Sequence, residues 1–287
     1  MRTVVSSPTK EVVIGDDQPF CIIGERINPT GRKVFQEQLR AGDLSAIEKD
    51  VADQVAGGAM MLDINMGVPL TDEAELLAKA VTLVQSVTDL PLCIDSSVVE
   101  ALDAGLAAYQ GKALVNSVTV EDERMEVILP LVKKYGAAII ALPNDETEIP
   151  EDPQRRFELA RQFVDIATSK YGIALEDILI DPLAMPIGAD SLHAARTFEA
   201  ISLIRDGIGV NMTLGASNVS FGMPDRHTLN AVFLPMAAHS GLTSAIMDAR
   251  TAQIVDAVKG ADLMLGHDEW GAAWIQRQRQ KKAAAQA

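Results

Sequence analysis

Eight short apolar runs recur along this chain, at residues 20–27, 60–66, 91–96, 113–118, 137–142, 178–183, 213–218 and 244–248. None shows the polar–apolar alternation of a half-exposed strand. This is the pattern of strands buried on both faces, as in a parallel sheet covered by helices.

The stretches between the runs carry helix signals. Ser45 and Glu48 have capping-box spacing, with Ile47, Val51 and Val55 following on one face. Thr71 precedes Asp72, Glu73 and Glu75, acids suited to a helix N-terminus, and Leu76, Leu77, Ala80, Leu83, Val84 and Val87 supply a buried stripe. Ser97 and Glu100 repeat the capping box. Asp152 before Pro153 reads as a cap followed by proline at the first helical position, with Gly172 ending that helix and Gly136 the one before. Pro130 and Pro235 fall inside helical patterns and predict a kink or a break.

Eight strand-then-helix units with no shift in composition predict one (β/α)8 TIM barrel over residues 20–275. An open doubly wound sheet is the competing architecture, but no GxGxxG follows the first run. Residues 1–19 form an N-terminal extension, where 4–5 and 12–14 suggest a hairpin across the barrel bottom. Residues 276–287 form a basic tail, with Arg277, Arg279, Lys281 and Lys282 and no acid, expected to be a solvated, fraying helix end.

Composition narrows the function. A net charge of −15 argues against nucleic acid or an anionic membrane as main partner. Four histidines, none in HExxH, make a protein-built zinc site a poor expectation, and no metal is expected on this chain. Cys21 and Cys93 lie in apolar runs and read as small buried hydrophobes. The first 19 residues lack the apolar core of a secretion signal, and no stretch approaches the roughly 20 apolar residues of a membrane span, so the expected location is the cytoplasm.

A barrel of this kind keeps its active site where the strands end. There the chain places Glu25, Arg26 and Asn28, then Asp63 and Asn65, Asp95, Asn116, Asp181, Ser217 and Asn218, and finally Asp248. Asp and Asn are common wherever a strand turns, so one such residue says little. Asp95, Asn116, Asp181 and Asn218 at a single mouth say more, because inward carboxylates are costly unless something bonds them. The partner suggested is a ligand rich in hydrogen-bond donors, such as a fused aminopyrimidinone. Magnesium or calcium is the alternative ligand.

Six stretches then carry a resemblance: Gly24 to Gly31 (GERINPTG), Leu62 to Gly67 (LDINMG), Cys93 to Ser96 (CIDS), Val115 to Ser117 (VNS), Ile180 to Leu183 (IDPL) and Leu214 to Ser220 (LGASNVS). In order, and each at a strand end, they are similar to the pterin-binding methyltransferases. That group includes methyltetrahydrofolate:corrinoid protein methyltransferases and the folate domain of cobalamin-dependent methionine synthase.

The resemblance implies that Asp95, Asn116 and Asp181 hold the pterin and that the Asn218 amide approaches folate N5. It implies that Gly215 lets backbone pass close to the ring, and that Asp63, Asn65, Ser217 and Ile246 line the pocket. Glu25, Arg26 and Asn28 are expected as structural or loop contacts beneath the site, with Asp248 as a further contact. The implied reaction moves a methyl group between N5 of tetrahydrofolate and the cobalt of a corrinoid, in a direction the residues do not choose. Tetrahydrofolate and 5-methyltetrahydrofolate are then substrates, the corrinoid arrives on a partner protein over the open mouth, and a homodimer is expected. Asn218 has no titratable proton, so the proton for N5 must come through solvent or a network.

Dihydropteroate synthase is a related barrel with a different reaction, a pterin condensation. The loop Asn28-Pro29-Thr30-Gly31-Arg32 and the pair Asn218-Val219 depart from its motifs. Phe221 replaces a glutamine found in some corrinoid-linked relatives. A non-catalytic folate-binding partner is a third reading. Met66, Met185, Met223 and Met247 read as gap-filling methionines, with an apolar corrinoid rim as the alternative.

Overall fold

The computed structural model describes residues 1–147 and 149–284; residues 285–287 of the basic tail lie outside the described residues. Strands β1 (Arg2–Ser6) and β2 (Glu11–Gly15) pair antiparallel as a hairpin. Eight strands follow: β3 (Cys21–Ile27), β4 (Met61–Asn65), β5 (Leu92–Asp95), β6 (Leu114–Thr119), β7 (Ala138–Leu142), β8 (Ile178–Ile180), β9 (Asn211–Met212) and β10 (Ser244–Met247). All pair in parallel, in the order β10-β3-β4-β5-β6-β7-β8-β9. A parallel bridge between Gly215 and Ile246, with Ile246 N–H donating to Leu214 O at 2.9 Å, brings the two edges together into a (β/α)8 TIM barrel.

The helices are α1 (Lys33–Arg40), α2 (Ser45–Gly57), α3 (Glu73–Val87), α4 (Val99–Ala108), α5 (Asp122–Tyr135), α6 (Pro153–Ser169), α7 (His193–Gly207), α8 (Arg226–Ser240), α9 (Ala252–Leu265) and α10 (Ala272–Ala284). None is long and apolar enough to cross a membrane.

Alternation along the strands divides the core in two. Ile22, Leu62 and Ile94 face outward and pack under helix residues such as Leu77, Val81 and Leu102. Cys21, Ile23, Met61, Cys93, Leu114 and Leu179 face inward and fill the lumen. The hairpin adds Val5, Val12 and Ile14 to that inner cluster, so it plugs the barrel floor. Each buried aliphatic there contributes about 1.5–3 kcal/mol. Both cysteines are free and buried, as their apolar context predicts.

Several local expectations are corrected. Neither serine capping box forms: α2 is preceded by Leu44 and α4 by Val98, without side-chain caps. Asp43 instead accepts from Ser45 N–H at 2.9 Å, and Ser96 Oγ from Val98 N–H at 2.9 Å. For α3 the cap is Asp72, one residue after Thr71, accepting from Glu75 N–H at 3.0 Å. Asp152 does cap α6, and Gly136 closes α5 with φ +61°. Pro130 breaks nothing: it sits on the exposed face of α5, where water can reach the carbonyl it frees. Pro235 likewise lies within a continuous α8.

The seventh barrel strand is much shorter than 213–218, because Ala216–Asn218 coil into a 3-10 turn. The sixth stops at Ile180, where the backbone turns at Leu183 with φ +63°. The basic tail is not wholly solvated either. Arg277 reaches Asp256 of α9 at 2.7 Å and Gly57 O of α2 at 3.2 Å, and Lys281 also pairs with Asp256.

Candidate active site at the carboxyl ends of the strands

Register sets the site. Asn65, Asp95 and Asn116 are direct neighbours across β4, β5 and β6, so their side chains share one level at the barrel mouth. Asp63 lies one layer deeper, beside Cys93, and is 1% exposed. Asn65 Nδ2 donates to Asp95 Oδ2 at 3.0 Å, and Asn116 Nδ2 donates down to Asp63 Oδ1 at 3.1 Å. Two amides therefore serve two carboxyls and fix their orientation.

Asp181 follows the end of β8. Its Oδ1 accepts from Leu183 N–H at 2.8 Å, which stabilises the left-handed turn there. Arg156 of α6 holds the same turn from below. It is fully buried and donates from Nη1 to Pro182 O at 3.0 Å and Leu183 O at 2.8 Å, and from Nε to Pro150 O at 2.8 Å.

The fourth side of the mouth is the turn Ala216–Asn218. Asn218 is exposed, and a Cβ at Gly215 would stand 3.1 Å from its Nδ2, so glycine leaves room for this amide. Ser217 Oγ donates to both carboxyl oxygens of Glu25, at 3.1 and 3.3 Å. Arg226 fixes the turn by donating to Ser217 O at 2.6 Å. Ile246 is half-buried at the top of the inner cluster.

The remaining candidates have different surroundings. Asn28 Oδ1 accepts from Thr30 N–H at 2.9 Å and shapes its own loop. Arg26 does not pair with Glu25; its carbonyl accepts from Arg32, which also bonds Asp50 at 2.7 Å. Asp248 is tied to Arg250 at 2.6 Å and to Gln54 at 3.1 Å. Met66 and Met247 are buried core residues, while Met185 and Met223 are half-buried in mouth loops.

Electrostatics follow from burial. Desolvation pushes the Glu25 carboxyl up to about 7, Asp95 up to about 6 and Asp181 up to about 7. Asp63 is raised well above the ordinary range, first by burial and then by the charge of Asp95. Hydrogen bonds from Asn65, Asn116, Ser217 and Leu183 oppose these shifts without cancelling them. Four carboxyls at one mouth thus retain unmet demand for donors.

Among the described residues, one cluster has metal-ligand chemistry: Glu151, Asp190 and His193 bring ligand atoms within 4.8 Å of one another. Arg196 already supplies a cation there, its Nη1 lying 2.9 Å from each carboxylate.

Residues 24–248 match the model of the pterin binding enzyme family. The chain belongs to this family. It is 35% identical over 258 residues to methionine synthase of Mycobacterium tuberculosis and 34% identical to that of Mycobacterium leprae, covering 85% of this chain in each case. The chain spans only about a fifth of the length of those two proteins, 22% and 21%. It is also 32% identical to methylcorrinoid:tetrahydrofolate methyltransferase of Eubacterium limosum, over 86% of this chain and 92% of that protein.

Solved structures with the same fold include dihydropteroate synthase of Vibrio fischeri, with TM-score 0.70 and 17% identity over 92% of this chain and 98% of that one. The enzyme of Xanthomonas albilineans bound to 7,8-dihydropteroate has TM-score 0.66 and 19% identity, over 88% and 95% of the two chains.

In this pterin-binding barrel, sequence reading missed three supporting residues. Arg156 looks like half of a surface Arg-Arg pair in sequence, and only the docking of α6 buries it. Arg226 opens α8 as an ordinary helix residue, yet anchors the Ser217 carbonyl. Glu73 lies in a helix N-terminus that signalled capping, but accepts a short bond from Ser96 and adds negative charge beside Asp95.

Proposed function

We propose that this chain transfers a methyl group between N5 of tetrahydrofolate and the cobalt of a corrinoid carried by another protein. The observation that carries the reading is the mouth itself: a level ring of Asn65, Asp95 and Asn116, with Asp181 after β8 and the free Asn218 amide after the neighbouring β9. An aminopyrimidinone edge offers the donors that Asp95 and Asp181 lack, and Asn116 adds an amide with both donor and acceptor. Ligation by these side chains orients the ring so that N5 lies toward Asn218.

In the methyl-to-cobalt direction, Co(I) attacks the methyl carbon, the C–N5 bond breaks, and its electron pair remains on N5. Asn218 can hydrogen-bond N5 in either protonation state, so its contribution is orientation and transition-state electrostatics. The reverse direction uses the same groups.

A corrinoid is too large for the mouth to enclose. Leu70, Ile149, Leu192 and Phe221 are large exposed apolar residues on loops following β4, β7, β8 and β9. Being on the same face as the mouth, they supply an apolar rim for a docking partner. We read the working form as a homodimer, with exposed Met264 and Trp270 offering apolar contact, and its compartment as the cytoplasm, consistent with two free buried cysteines.

The test mixes purified chain, 5-methyltetrahydrofolate and Co(I) cobalamin and follows the visible spectrum. Methylcobalamin should form, and tetrahydrofolate plus methylcobalamin should run backward. Bound folate with no transfer in either direction would reduce the chain to a folate-binding partner. Condensation of p-aminobenzoate with a pterin pyrophosphate would favour the synthase chemistry of its structural neighbours, against which Asn218-Val219 speaks.

A further inference from the structure

Protonation of N5 has no donor among the groups already assigned. Asn218 and Asn116 do not titrate, and Asp95 and Asp181 are committed to the far edge of the ring. Glu25 stands apart from them. By alternation it shares the inward face of Cys21 and Ile23, so its carboxyl enters the mouth from β3. It bonds Ser217 Oγ, on the residue next to Asn218.

Behind this pair lies a cavity of about 200 Å³, lined by Glu25, Arg26, Ser217, Arg226, Asn230 and Asp248 among others. Two buried polar atoms on these lining residues, Arg26 Nε and Asn230 Oδ1, have no protein partner. Buried polar atoms of this kind take water as partner, and a polar cavity of this size holds several molecules.

We propose that Glu25 is the proton reservoir for N5, connected to the folate side through Ser217 Oγ and to solvent through the polar cavity. The inference rests on the methyl-transfer reading above. As the C–N5 bond breaks and its electron pair stays on nitrogen, a protonated Glu25 gives its hydrogen to Ser217 Oγ. The Ser217 hydroxyl hydrogen passes on to N5, directly or through one water. The products are tetrahydrofolate with N5–H, methylated Co(III) and a Glu25 carboxylate, which regains a proton from the cavity. The reverse transfer returns the proton along the same line.

The groups around Glu25 suit the task. Burial and Asp248, the residue after β10, favour its protonated form, whereas Ser217, Arg26 of β3 and Arg226 of α8 favour the carboxylate. The charge of Glu25 in turn helps to raise the Asp63 carboxyl on β4. The balance holds the Glu25 carboxyl up to about 7, where both forms are populated near neutrality.

The experiment is single-turnover methyl transfer to free Co(I) cobalamin from about pH 5.5 to about pH 9, with folate affinity measured at each pH by calorimetry. Wild type should lose rate above about pH 7, approaching tenfold per pH unit. Glu25→Gln should be slower by about 10²-fold at low pH, show no such limb, and bind folate within about threefold of wild type. Ser217→Ala removes the hydroxyl that carries the proton, so it should also be slower at low pH and lose the limb. A Glu25→Gln profile that keeps the wild-type limb overturns the proposal, as does a Ser217→Ala profile that keeps it if Glu25→Gln fails to fold. A wild-type protein that binds folate but transfers no methyl group overturns the methyl-transfer reading, and the relay falls with it.

Discussion

The two ends of the barrel handle polar groups in opposite ways. At the floor, Asn211 is 3% exposed, yet its Nδ2 donates to Thr3 Oγ1 at 3.0 Å and Ile14 O at 2.9 Å. Thr3 Oγ1 in turn donates to Glu176 O at 2.5 Å. These buried groups close on one another, and the apolar hairpin seals them in. At the mouth, Asp63, Asp95, Asp181 and Glu25 have some bonds, yet each remains raised in pKa by burial. A satisfied buried network stabilises a fold. An incompletely satisfied one at an open mouth is a demand for a ligand.

That contrast can be broken by experiment. The largest expected effect is Asn218→Ala, which should lower methyl transfer about 10²–10³-fold, the scale for losing one transition-state donor, while calorimetry still detects folate. Loss of folate binding in parallel would make Asn218 a ground-state contact instead. Next is Asp181→Asn, which should weaken tetrahydrofolate binding by about 1–3 kcal/mol, read as a five- to 150-fold rise in Kd. An unchanged Kd would remove Asp181 from the site.

At the other end, Asn211→Ala should cost about 1–3 kcal/mol of stability in urea unfolding and leave folate affinity alone. A large affinity change there would mean that floor and mouth are coupled.

The smallest effect is a pH trend. Glu25, Asp95 and Asp181 titrate in the folded chain at about 7, 6 and 7, above the range near 4 of an unfolded chain. Between those limits the folded chain keeps protons that the unfolded chain has released. Stability contributed by these groups is therefore greatest below about pH 4 and declines as pH rises toward about 7. Thermal midpoints without folate should fall across the upper part of that window, and less so with saturating tetrahydrofolate. A midpoint insensitive to ligand at both ends of the window would contradict the demand for donors.

Much of this was legible in the residues. Unalternated apolar runs can be buried only between layers, and eight of them followed by helices leave few folds besides the barrel. The positions of Asp95, Asn116 and Asp181 followed from where those runs stop. Helix starts were less legible. Ser45 and Ser97 had the right spacing for capping boxes, yet Asp43 and Ser96, each two residues before the amide it bonds, supply the bonds. Local sequence lists the candidate acceptors, but the chain's entry angle chooses among them.

Sequence by itself therefore determined the architecture and the chemical character of the mouth, because periodicity and strand ends are local properties. Only the tertiary structure decided partnership. Glu25 and Arg26 are adjacent in sequence, yet Glu25 bonds Ser217, 192 residues away, while Arg26 Nε faces no protein partner. Asp248 was one more acid at a strand end until Arg250 and Gln54 were seen to neutralise and bond it. Arg156 became a support for the Asp181 turn only once α6 packed against the loop after β8. Adjacent side chains on a strand point to opposite faces, so the partner of a strand-end charge comes from whichever element the closed barrel brings over it.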